Sequence, residues 1–168
     1  KINEIFYSIA GEAGASGKPA VFIRLTGCNL RCSWCDTPYA YSDGEEMNIP
    51  DIIEKISGYG VGTAVVTGGE PLCQEPALPL LKALVKNGYE TYLETNGSMS
   101  IEGIDENVHR IIDVKCPSTG EESKNLWENL EKLTGRDEIK FLIAERRDFE
   151  FAKAVLSKYL KNTPAVVW

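Results

Sequence analysis

The chain has 168 residues, enough for one compact domain but short for two. Asp and Glu number 25 against 18 Lys and Arg, a formal net charge of -7, so nucleic-acid binding through broad charge attraction is not expected. No apolar run is long enough to cross a membrane, and the first residues do not resemble a signal peptide. We therefore expect one domain over residues 1–168 that acts in the cytoplasm, without a membrane or nucleic-acid partner.

Short apolar runs alternate with amphipathic helical patterns along the chain. In chain order, the patterns predict strands at 3–9 and 20–26, a helix at 51–57, a strand at 63–67, a helix at 76–87, strands at 90–94 and 110–115, a helix at 124–133, a strand at 138–143, a helix from a capping Asp148 to about residue 160, and a strand at 164–168.

This alternation predicts an α/β fold, namely a partial, reduced (β/α)6 barrel of mainly parallel strands. The link between residues 94 and 110 is too short and irregular to predict a helix. Ligands of such sheets bind beyond the carboxyl ends of the strands. The loop that begins at Cys28 and the segments 67–71, 94–97 and 115–118 each follow a predicted strand, so we expect them to meet at one rim.

The predicted strand at 20–26 carries one charge. Val21, Ile23 and Leu25 share one face, whereas Phe22 and Arg24 share the other. A guanidinium on a buried strand must be paired or functional, so Arg24 either forms a structural salt bridge or binds an anion. Its planar fork suits a carboxylate.

Three of the five cysteines, Cys28, Cys32 and Cys35, form a C-x3-C-x2-C pattern. Thiolates at this spacing suit an iron–sulfur cluster or a zinc ion. A structural zinc needs a fourth ligand, and the other two cysteines and the single histidine stand alone in the sequence. Three thiolates on a four-iron cluster would leave one iron free to bind a small molecule. A cluster, a zinc ion and plain buried thiols all stay open from the spacing.

The cysteine pattern, placed after a first strand, resembles the signature of radical S-adenosylmethionine enzymes. Residues 67–71 (TGGEP) resemble the GGE motif of the same superfamily, although a turn leading into a helix is their plainer interpretation. The resemblance implies a 4Fe-4S cluster on Cys28, Cys32 and Cys35, with the amino and carboxylate groups of S-adenosylmethionine on the fourth iron. Reductive cleavage of that cofactor would yield the radical that attacks the substrate.

Five further segments narrow the resemblance to one family. Residues 8–12 (SIAGE), 22–28 (FIRLTGC), 35–37 (CDT), 93–97 (LETNG) and 113–118 (DVKCPS) resemble segments of the 7-carboxy-7-deazaguanine synthases. That family converts 6-carboxy-5,6,7,8-tetrahydropterin into 7-carboxy-7-deazaguanine with loss of ammonia, in queuosine and 7-deazapurine biosynthesis. The resemblance implies a homodimeric lyase that also uses magnesium (Mg2+) and receives electrons from a donor such as flavodoxin or ferredoxin.

The resemblance also assigns roles to residues around the expected rim. Those that would contact the cofactor are Trp34, Cys35, Asp36, Gly68, Gly69, Glu70, Glu94, Asn96, Lys115, Cys116, Pro117 and Ser118. Those that would contact the pterin are Ile9, Ala10, Gly11, Glu12, Arg24 and Thr67. The Thr37 hydroxyl would bind magnesium, and Glu70 with its two glycines would hold the methionine ammonium.

Some of these residues have ordinary structural interpretations. Without the resemblance, Glu12 is a solvated loop carboxylate and Thr37 is a turn residue before Pro38. Ala10 stands where members of the family usually carry glutamine, so any contact made there is left to the backbone. Family members also continue past the position of Trp168 with a tail that contacts substrate, and we expect this chain to be trimmed there.

Two other functions stay open from the sequence. An activase that installs a glycyl radical on a partner protein would share the cysteine pattern but would need no pterin pocket. A zinc-stabilised interaction module would need no catalytic site. Arg24 and the segment 8–12 favour an enzyme that acts on a small molecule.

Overall fold

The computed structural model describes residues 1–168, and its elements follow the predicted alternation of strands and helices. In chain order they are β1 Ile2–Ile9, β2 Pro19–Leu25, α1 Ile49–Ser57, β3 Thr63–Gly68, α2 Ala77–Lys86, β4 Glu90–Thr95, β5 His109–Val114, β6 Glu138–Phe141, α3 Arg146–Tyr159 and β7 Val166–Val167. No helix combines the length and the apolar composition that a bilayer-spanning segment needs.

The seven strands form one sheet in which each strand pairs with its neighbours in the chain. β2 to β7 run parallel, and β1 pairs antiparallel with β2, where Phe6 lies opposite Phe22. β4 and β5 are joined without a helix, as the irregular link suggests. The predicted α/β partial barrel of mainly parallel strands is therefore confirmed.

The outer face of the sheet packs against the helices. Val21, Ile23 and Leu25 of β2 join a core of 14 buried residues that also includes Ile56 of α1 and Leu81 of α2. A second core of 9 buried residues joins β5 and β6 to α3. Burial of apolar surface at about 25 cal/mol per Å² makes these two cores the main source of stability. The two-faced pattern predicted for β2 is confirmed.

A smaller apolar plug closes the inner face of the sheet near the amino-terminal ends of the strands. Ala15, from the β1–β2 connection, belongs to the same buried cluster as Val65 and Tyr92. The backbone N–H of Gly14 donates to Oε2 of Glu138 at 2.8 Å, which ties this connection to β6. The carboxyl ends of the strands, beyond the plug, are left for polar residues.

α3 begins two residues before the predicted cap. Glu145 is the N-cap, and its side chain accepts from the backbone N–H of Asp148 while the Asp148 carboxylate accepts from the backbone N–H of Glu145. Asp148 also accepts from the backbone N–H of Ser118 at 2.9 Å. The sequence predicts that an acidic residue caps this helix. The reciprocal hydrogen bonds show that Glu145 is the N-cap and that Asp148 lies in the first turn.

The predicted helix at 124–133 is wrong, because the segment forms two short 3-10 helices, Glu122–Lys124 and Trp127–Lys132. Between them, the Asn125 side chain accepts from the backbone N–H of Lys115 at 2.8 Å and donates to the Lys115 carbonyl at 2.9 Å. These bonds fix the segment against the end of β5 and prevent a continuous α-helix. β6 and β7 are also shorter than predicted.

Candidate active site

A cavity of about 590 Å³ opens at the carboxyl ends of the parallel strands. Its wall combines the cysteine loop after β2, the loops after β3 and β4, the end of β5, and β6. The predicted convergence of these loops is confirmed. The following predicted site residues line the cavity: Ala10, Gly11, Glu12, Arg24, Cys28, Cys32, Trp34, Cys35, Asp36, Thr37, Thr67, Gly68, Gly69, Glu94, Asn96 and Lys115.

The three cysteines of the pattern lie on an irregular loop that is held by hydrogen bonds from its own backbone. The N–H of Ser33 donates to the carbonyl of Thr119 at 3.0 Å. The N–H of Arg31 donates to Oε1 of Glu121 at 2.7 Å. Because both partners follow β5, the loop is fixed to the far side of the rim.

The surroundings shift the pKa values of the three thiols in different directions. Burial raises the pKa of Cys28 and of Cys32. Burial also acts to raise the pKa of Cys35, but hydrogen bonds with Tyr41 and Thr37 outweigh it, so this pKa is lowered. The Thr37 hydroxyl lies 3.8 Å from the Cys35 sulfur. Since metals bind the thiolate, loading of this site is coupled to the release of protons.

The donor set fits an iron–sulfur cluster that keeps one iron open. The cavity wall carries three thiols and neither a histidine nor a further cysteine. No group of three or more His, Cys, Asp or Glu side chains surrounds a single ion position, whereas a structural zinc takes four ligands around one point. Three thiols around an open cavity can hold three irons and leave the fourth to a small-molecule ligand.

The loop after β3 packs against the cysteine loop so closely that only glycine fits. A Cβ on Gly69 would lie 2.2 Å from the carbonyl oxygen of Gly27 and 2.7 Å from Cβ of Cys28. A Cβ on Gly68, whose φ is +154°, would lie 2.3 Å from the carbonyl oxygen of Leu25. The two glycines therefore bring the backbone of this loop against the first cysteine.

The Glu70 side chain is fully buried and does not line the cavity. Its carboxylate accepts from the backbone N–H groups of Leu72 at 3.0 Å and Asn96 at 2.6 Å. It also accepts from the Thr95 hydroxyl at 2.9 Å. Burial raises the pKa of this carboxyl. Glu70 thereby joins the loops after β3 and β4, and its role towards the methionine ammonium stays a prediction.

Asn96 connects the same network to the first cysteine. Its side-chain Nδ2 lies 3.8 Å from the sulfur of Cys28 and donates to Oδ1 of Asn29 at 3.2 Å. Its Oδ1 accepts from the Ser98 hydroxyl at 2.6 Å, which fixes the orientation of the amide. Asn96 therefore contacts the cluster-binding loop as well as the cavity.

Arg24 forms a structural salt bridge and still has nitrogens available to bind an anion. Its Nε donates to Oε1 of Glu4 on β1 at 2.8 Å, so a salt bridge is present. The guanidinium also packs over the Phe6 and Tyr39 rings at 5.8 Å and 5.9 Å. Its terminal nitrogens have no protein partner, and the side chain lines the cavity. These nitrogens can therefore bind a ligand carboxylate.

Two predicted site residues, Thr67 and Glu94, are hydrogen-bonded to each other at the floor of the cavity. The Thr67 hydroxyl donates to Oε2 of Glu94 at 2.8 Å across the β3–β4 pair. Burial raises the pKa of Glu94, and its hydrogen bond with Thr67 opposes that effect only in part. Glu94 can thus hold a proton at the cavity wall at a higher pH than an exposed glutamate can.

Two ion pairs line the side of the cavity formed by β5 and β6. Lys115 donates to Oδ2 of Asp113 at 2.8 Å, and Lys140 donates to Oε2 of Glu12 at 2.5 Å. Burial lowers the pKa of Lys115, but the nearby carboxylate of Asp113 outweighs it, so the pKa lies above the ordinary value. Both ammonium groups stay charged at neutral pH.

Four other predicted site residues, namely Ile9, Cys116, Pro117 and Ser118, do not line the cavity, and their predicted contacts stay predictions. Ile9 is 55% exposed because the pleat of β1 directs it away from the cavity that its neighbours line. Cys116 is buried behind Lys115, with its sulfur 3.8 Å from the carbonyl of Val114. The residues after it form a 3-10 helix, Pro117–Thr119.

Ser118 holds the cysteine loop through its backbone carbonyl. The Ser33 hydroxyl donates to the Ser118 carbonyl at 2.7 Å, and Nε1 of Trp34 donates to the same oxygen at 3.2 Å.

Several residues of the cavity wall were not predicted from the sequence. Phe6 and Phe22 stack with centroids 5.0 Å apart and form part of it, as do Tyr41 and Lys140. Lys140 leaves a signal in the sequence, because it alternates with the apolar Ile139 along β6 and must face the inside of the barrel.

Comparison with known proteins agrees with this site. The model of the radical SAM superfamily matches residues 22–162. The 7-carboxy-7-deazaguanine synthase of Koribacter versatilis is 44% identical over 155 residues, which cover 91% of this chain and 69% of that protein. Its counterpart in Chlorobaculum tepidum is 38% identical over 159 residues, which cover 93% and 72%. The crystal structure of QueE from Escherichia coli matches with a TM-score of 0.84 at 29% identity, covering 99% of this chain and 81% of that one.

The fold and the cysteine site thus define a radical S-adenosylmethionine enzyme, a class that carries a 4Fe-4S cluster and uses S-adenosylmethionine. Within this class, the chain belongs to the family of the 7-carboxy-7-deazaguanine synthases. The family match decides against the glycyl-radical activase and the zinc-stabilised module.

Proposed function

We propose that residues 1–168 form one catalytic domain that converts 6-carboxy-5,6,7,8-tetrahydropterin into 7-carboxy-7-deazaguanine and ammonia. The names of the relatives give the product. The observation that carries the proposal is that one cavity holds both the three cysteines and two groups suited to a carboxylated pterin, Arg24 and Glu12.

Cys28, Cys32 and Cys35 would hold the cluster. When bound, the cluster and S-adenosylmethionine supply the carbon radical that removes a hydrogen atom from the substrate. The protein positions the reactants and shields them from water. Asn96 and Lys115 line the same cavity and supply polar groups for the cofactor, next to the glycine-rich loop after β3.

Different residues of the chain would bind the two ends of the pterin. Arg24 would bind the 6-carboxylate through its terminal nitrogens while Glu4 holds its Nε. Glu12 would accept from the amino group and the ring N–H of the pterin, since a carboxylate pairs with two adjacent donors. Thr67 and Glu94 would lie against the ring, where the raised pKa of Glu94 lets it carry a proton.

Magnesium would be held by the Thr37 hydroxyl and would neutralise charge on the substrate carboxylate. The Thr37 hydroxyl lines the cavity beside Cys35, and magnesium favours oxygen ligands and retains several waters. A single protein hydroxyl is therefore a sufficient anchor when the substrate supplies further oxygens.

Two partners complete the proposal. A one-electron donor such as flavodoxin or ferredoxin would approach the cysteine loop, where Trp34 and Asp36 are exposed. A second copy of the chain would make a homodimer, for which β1 offers a free edge with Tyr7 and Ile9 exposed. Sedimentation and reduction kinetics test these partners separately.

Turnover under anaerobic conditions tests the proposed function. The reconstituted protein, supplied with S-adenosylmethionine, reductant, magnesium and the pterin, should release equal amounts of ammonia and 7-carboxy-7-deazaguanine, and less when magnesium is omitted. Cys32→Ser should abolish the product, whereas Cys73→Ser, which changes an exposed cysteine outside the cavity, should leave it unchanged. Consumption of S-adenosylmethionine without formation of this product would contradict the proposal.

A further inference from the structure

Lys140 is a charged residue of the cavity wall to which the proposed function gives no role. It lies on β6 opposite Asp113 of β5, and its side chain is 20% exposed. Its ammonium donates to Oε2 of Glu12 at 2.5 Å, and Glu12 is 58% exposed. The pair thus joins β6 to the connection between β1 and β2 at the open side of the barrel.

The pair leaves hydrogen-bonding capacity unused on both partners. An ammonium has three N–H donors, and Glu12 is the only protein group within hydrogen-bond distance of this one. The Glu12 carboxylate keeps its Oε1 without a protein partner. Both side chains line the cavity, so a donor and two acceptor oxygens stand side by side at its wall.

The Lys140 ammonium keeps its charge in this setting. Burial lowers its pKa, but the carboxylates of Asp113, Glu12 and Glu94 outweigh burial, and the pKa lies above its ordinary value. A charged donor that is held beside a carboxylate can form hydrogen bonds with adjacent acceptor and donor groups on the edge of a heterocycle.

The pyrimidinone edge of a pterin presents the complementary pattern. Its C4 carbonyl oxygen is an acceptor, and the adjacent N3–H and the amino group on C2 are donors. A carboxylate accepts from the two donors, and a neighbouring ammonium donates to the carbonyl oxygen. A site built to satisfy such a pattern discriminates strongly against an analogue that leaves one buried group unpaired.

We propose that Lys140 is a specificity-determining residue that binds the C4 carbonyl oxygen of the pterin while it holds Glu12 in place for N3–H and the 2-amino group. The inference rests on the proposed function and adds the selection of a 4-oxo ring over a 4-amino ring. Lys140 contacts the edge of the substrate that is remote from its carboxylate, so it acts in binding and leaves the cofactor untouched.

Equilibrium binding of two unreactive probes to the cluster-loaded enzyme with S-adenosylmethionine tests this inference. The probes are 6-carboxypterin and 2,4-diaminopteridine-6-carboxylic acid, which share the flat ring, the 2-amino group and the carboxylate. They differ at C4, where an amino group replaces the carbonyl oxygen, and at N3, which carries no hydrogen in the 4-amino ring. Wild-type protein should prefer 6-carboxypterin by about tenfold or more. Lys140→Met should bind 6-carboxypterin about tenfold more weakly and should reduce the preference severalfold, with the affinity for S-adenosylmethionine unchanged. The preference that remains would come from Glu12, which pairs with N3–H.

Lys132→Met is the matched control. Lys132 also pairs with a glutamate, Glu102, at 2.5 Å, but this pair lies on the surface away from the cavity, so both affinities should equal those of the wild type. If Lys140→Met does not fold, Lys140→Gln takes its place. Its amide can donate to a 4-oxo group or accept from a 4-amino group, so this variant should bind 6-carboxypterin more weakly and show a smaller 4-oxo preference than the wild type.

The outcomes separate this inference from the proposed function. Wild-type affinities and preference in Lys140→Met, or in Lys140→Gln if only that variant folds, would overturn the role of Lys140. So would equal binding of the two probes by the wild type. In both cases product formation by the wild type would leave the proposed function standing. Failure of the wild type to bind 6-carboxypterin and to form product would overturn both.

Discussion

Arg24 shows how one side chain can serve the fold and the ligand together. Its Nε is bonded to Glu4 at 2.8 Å, while its terminal nitrogens stay free in the cavity. A lysine has one ammonium in place of the fork and cannot hold both positions. The guanidinium thus arrives at the cavity already oriented, which lowers the entropic cost of binding a carboxylate.

Arg24→Lys should therefore raise the KM for the pterin by about 10- to 100-fold, since a hydrogen bond to a charged group contributes about 1.5–3 kcal/mol. The affinity for S-adenosylmethionine should not change. Steady-state kinetics with direct cofactor binding measure both, and the exposed Arg146→Lys is the control. An unchanged KM in Arg24→Lys would show that the fork does not contact the substrate.

The raised pKa of Glu94 predicts how the stability of the protein depends on pH. Burial raises its pKa, so the folded protein holds this proton more tightly than the unfolded chain does. Stability from this group is present at low pH and is lost as the pH rises from the unfolded pKa through the folded one. Glu94→Gln should therefore be more stable than the wild type at pH 8, and the difference should shrink towards pH 5.

Urea unfolding of the cluster-free protein at several pH values measures this difference. Glu90→Gln is the opposite control, because the hydrogen bond from Lys18 lowers the pKa of Glu90. That variant should be less stable than the wild type at pH 8, with a difference that shrinks as the pH falls. A Glu94→Gln variant that loses stability at pH 8 would contradict the assignment.

The sequence predicts the location of a site residue when spacing in a motif or the face of a strand determines where its side chain lies. Cys28, Cys32, Cys35 and Arg24 belong to this group, and all four line the cavity. Glu70 could not be placed in this way, because a motif does not show whether a carboxylate faces a ligand or turns back onto neighbouring backbone N–H groups. The bonds from Thr95 and Asn96 to this carboxylate are known only from the fold.

At the scale of elements, the loop after β3 is fitted to the loop after β2. The backbone N–H of Glu70 donates to the carbonyl of Gly27 at 2.8 Å, and Gly69 touches both Gly27 and Cys28. The two loops therefore behave as one unit, and a change in one should displace the other.

Gly69→Ala should reduce stability by about 1–3 kcal/mol and should lower the iron bound after reconstitution, because its Cβ would lie 2.2 Å from the Gly27 carbonyl oxygen. Urea unfolding and iron analysis measure the two effects. Gly62→Ala is the control, since a Cβ there meets nothing within 4 Å. Full iron content in Gly69→Ala would show that the contact is not needed to shape the cysteine loop.

Elements whose limits depend on distant partners are the ones that the sequence misplaces. The segment at 124–133 has helical periodicity, but Asn125 bonds to the backbone of Lys115 and interrupts the helix. α3 begins early because Glu145 and Asp148 cap each other. Strands and helices whose apolar pattern faces a single core, such as β2 and α2, lie within two residues of their predicted limits.

For the whole molecule, each strand pairs with its neighbours in the chain, as short connections favour, so the alternation of strands and helices in the sequence is enough to predict the order of the sheet. The cavity is less predictable, because its wall depends on how far the sheet curves and on which charged residues face inwards. Lys140 on β6 is the clearest case. The apolar cores and the metal ligands are separate parts of the molecule, since none of the three cysteines belongs to a buried apolar cluster.

Removal of the cluster should therefore leave the sheet folded. We expect protein stripped of iron by chelation to keep its far-UV circular dichroism and a cooperative urea transition, because the cores of 14 and 9 buried residues are intact without metal. Affinity for S-adenosylmethionine should be lost at the same time. A chelated protein without a cooperative transition would show that the cluster is required for folding.

The central claim is that three thiolates leave one iron free for S-adenosylmethionine. Electron paramagnetic resonance of the reduced, reconstituted protein in the absence and presence of S-adenosylmethionine tests it most directly. We expect the signal of a reduced 4Fe-4S cluster, which changes shape and g-values when the cofactor is added and is absent in Cys32→Ser. A cluster signal that stays the same at saturating cofactor would contradict the account.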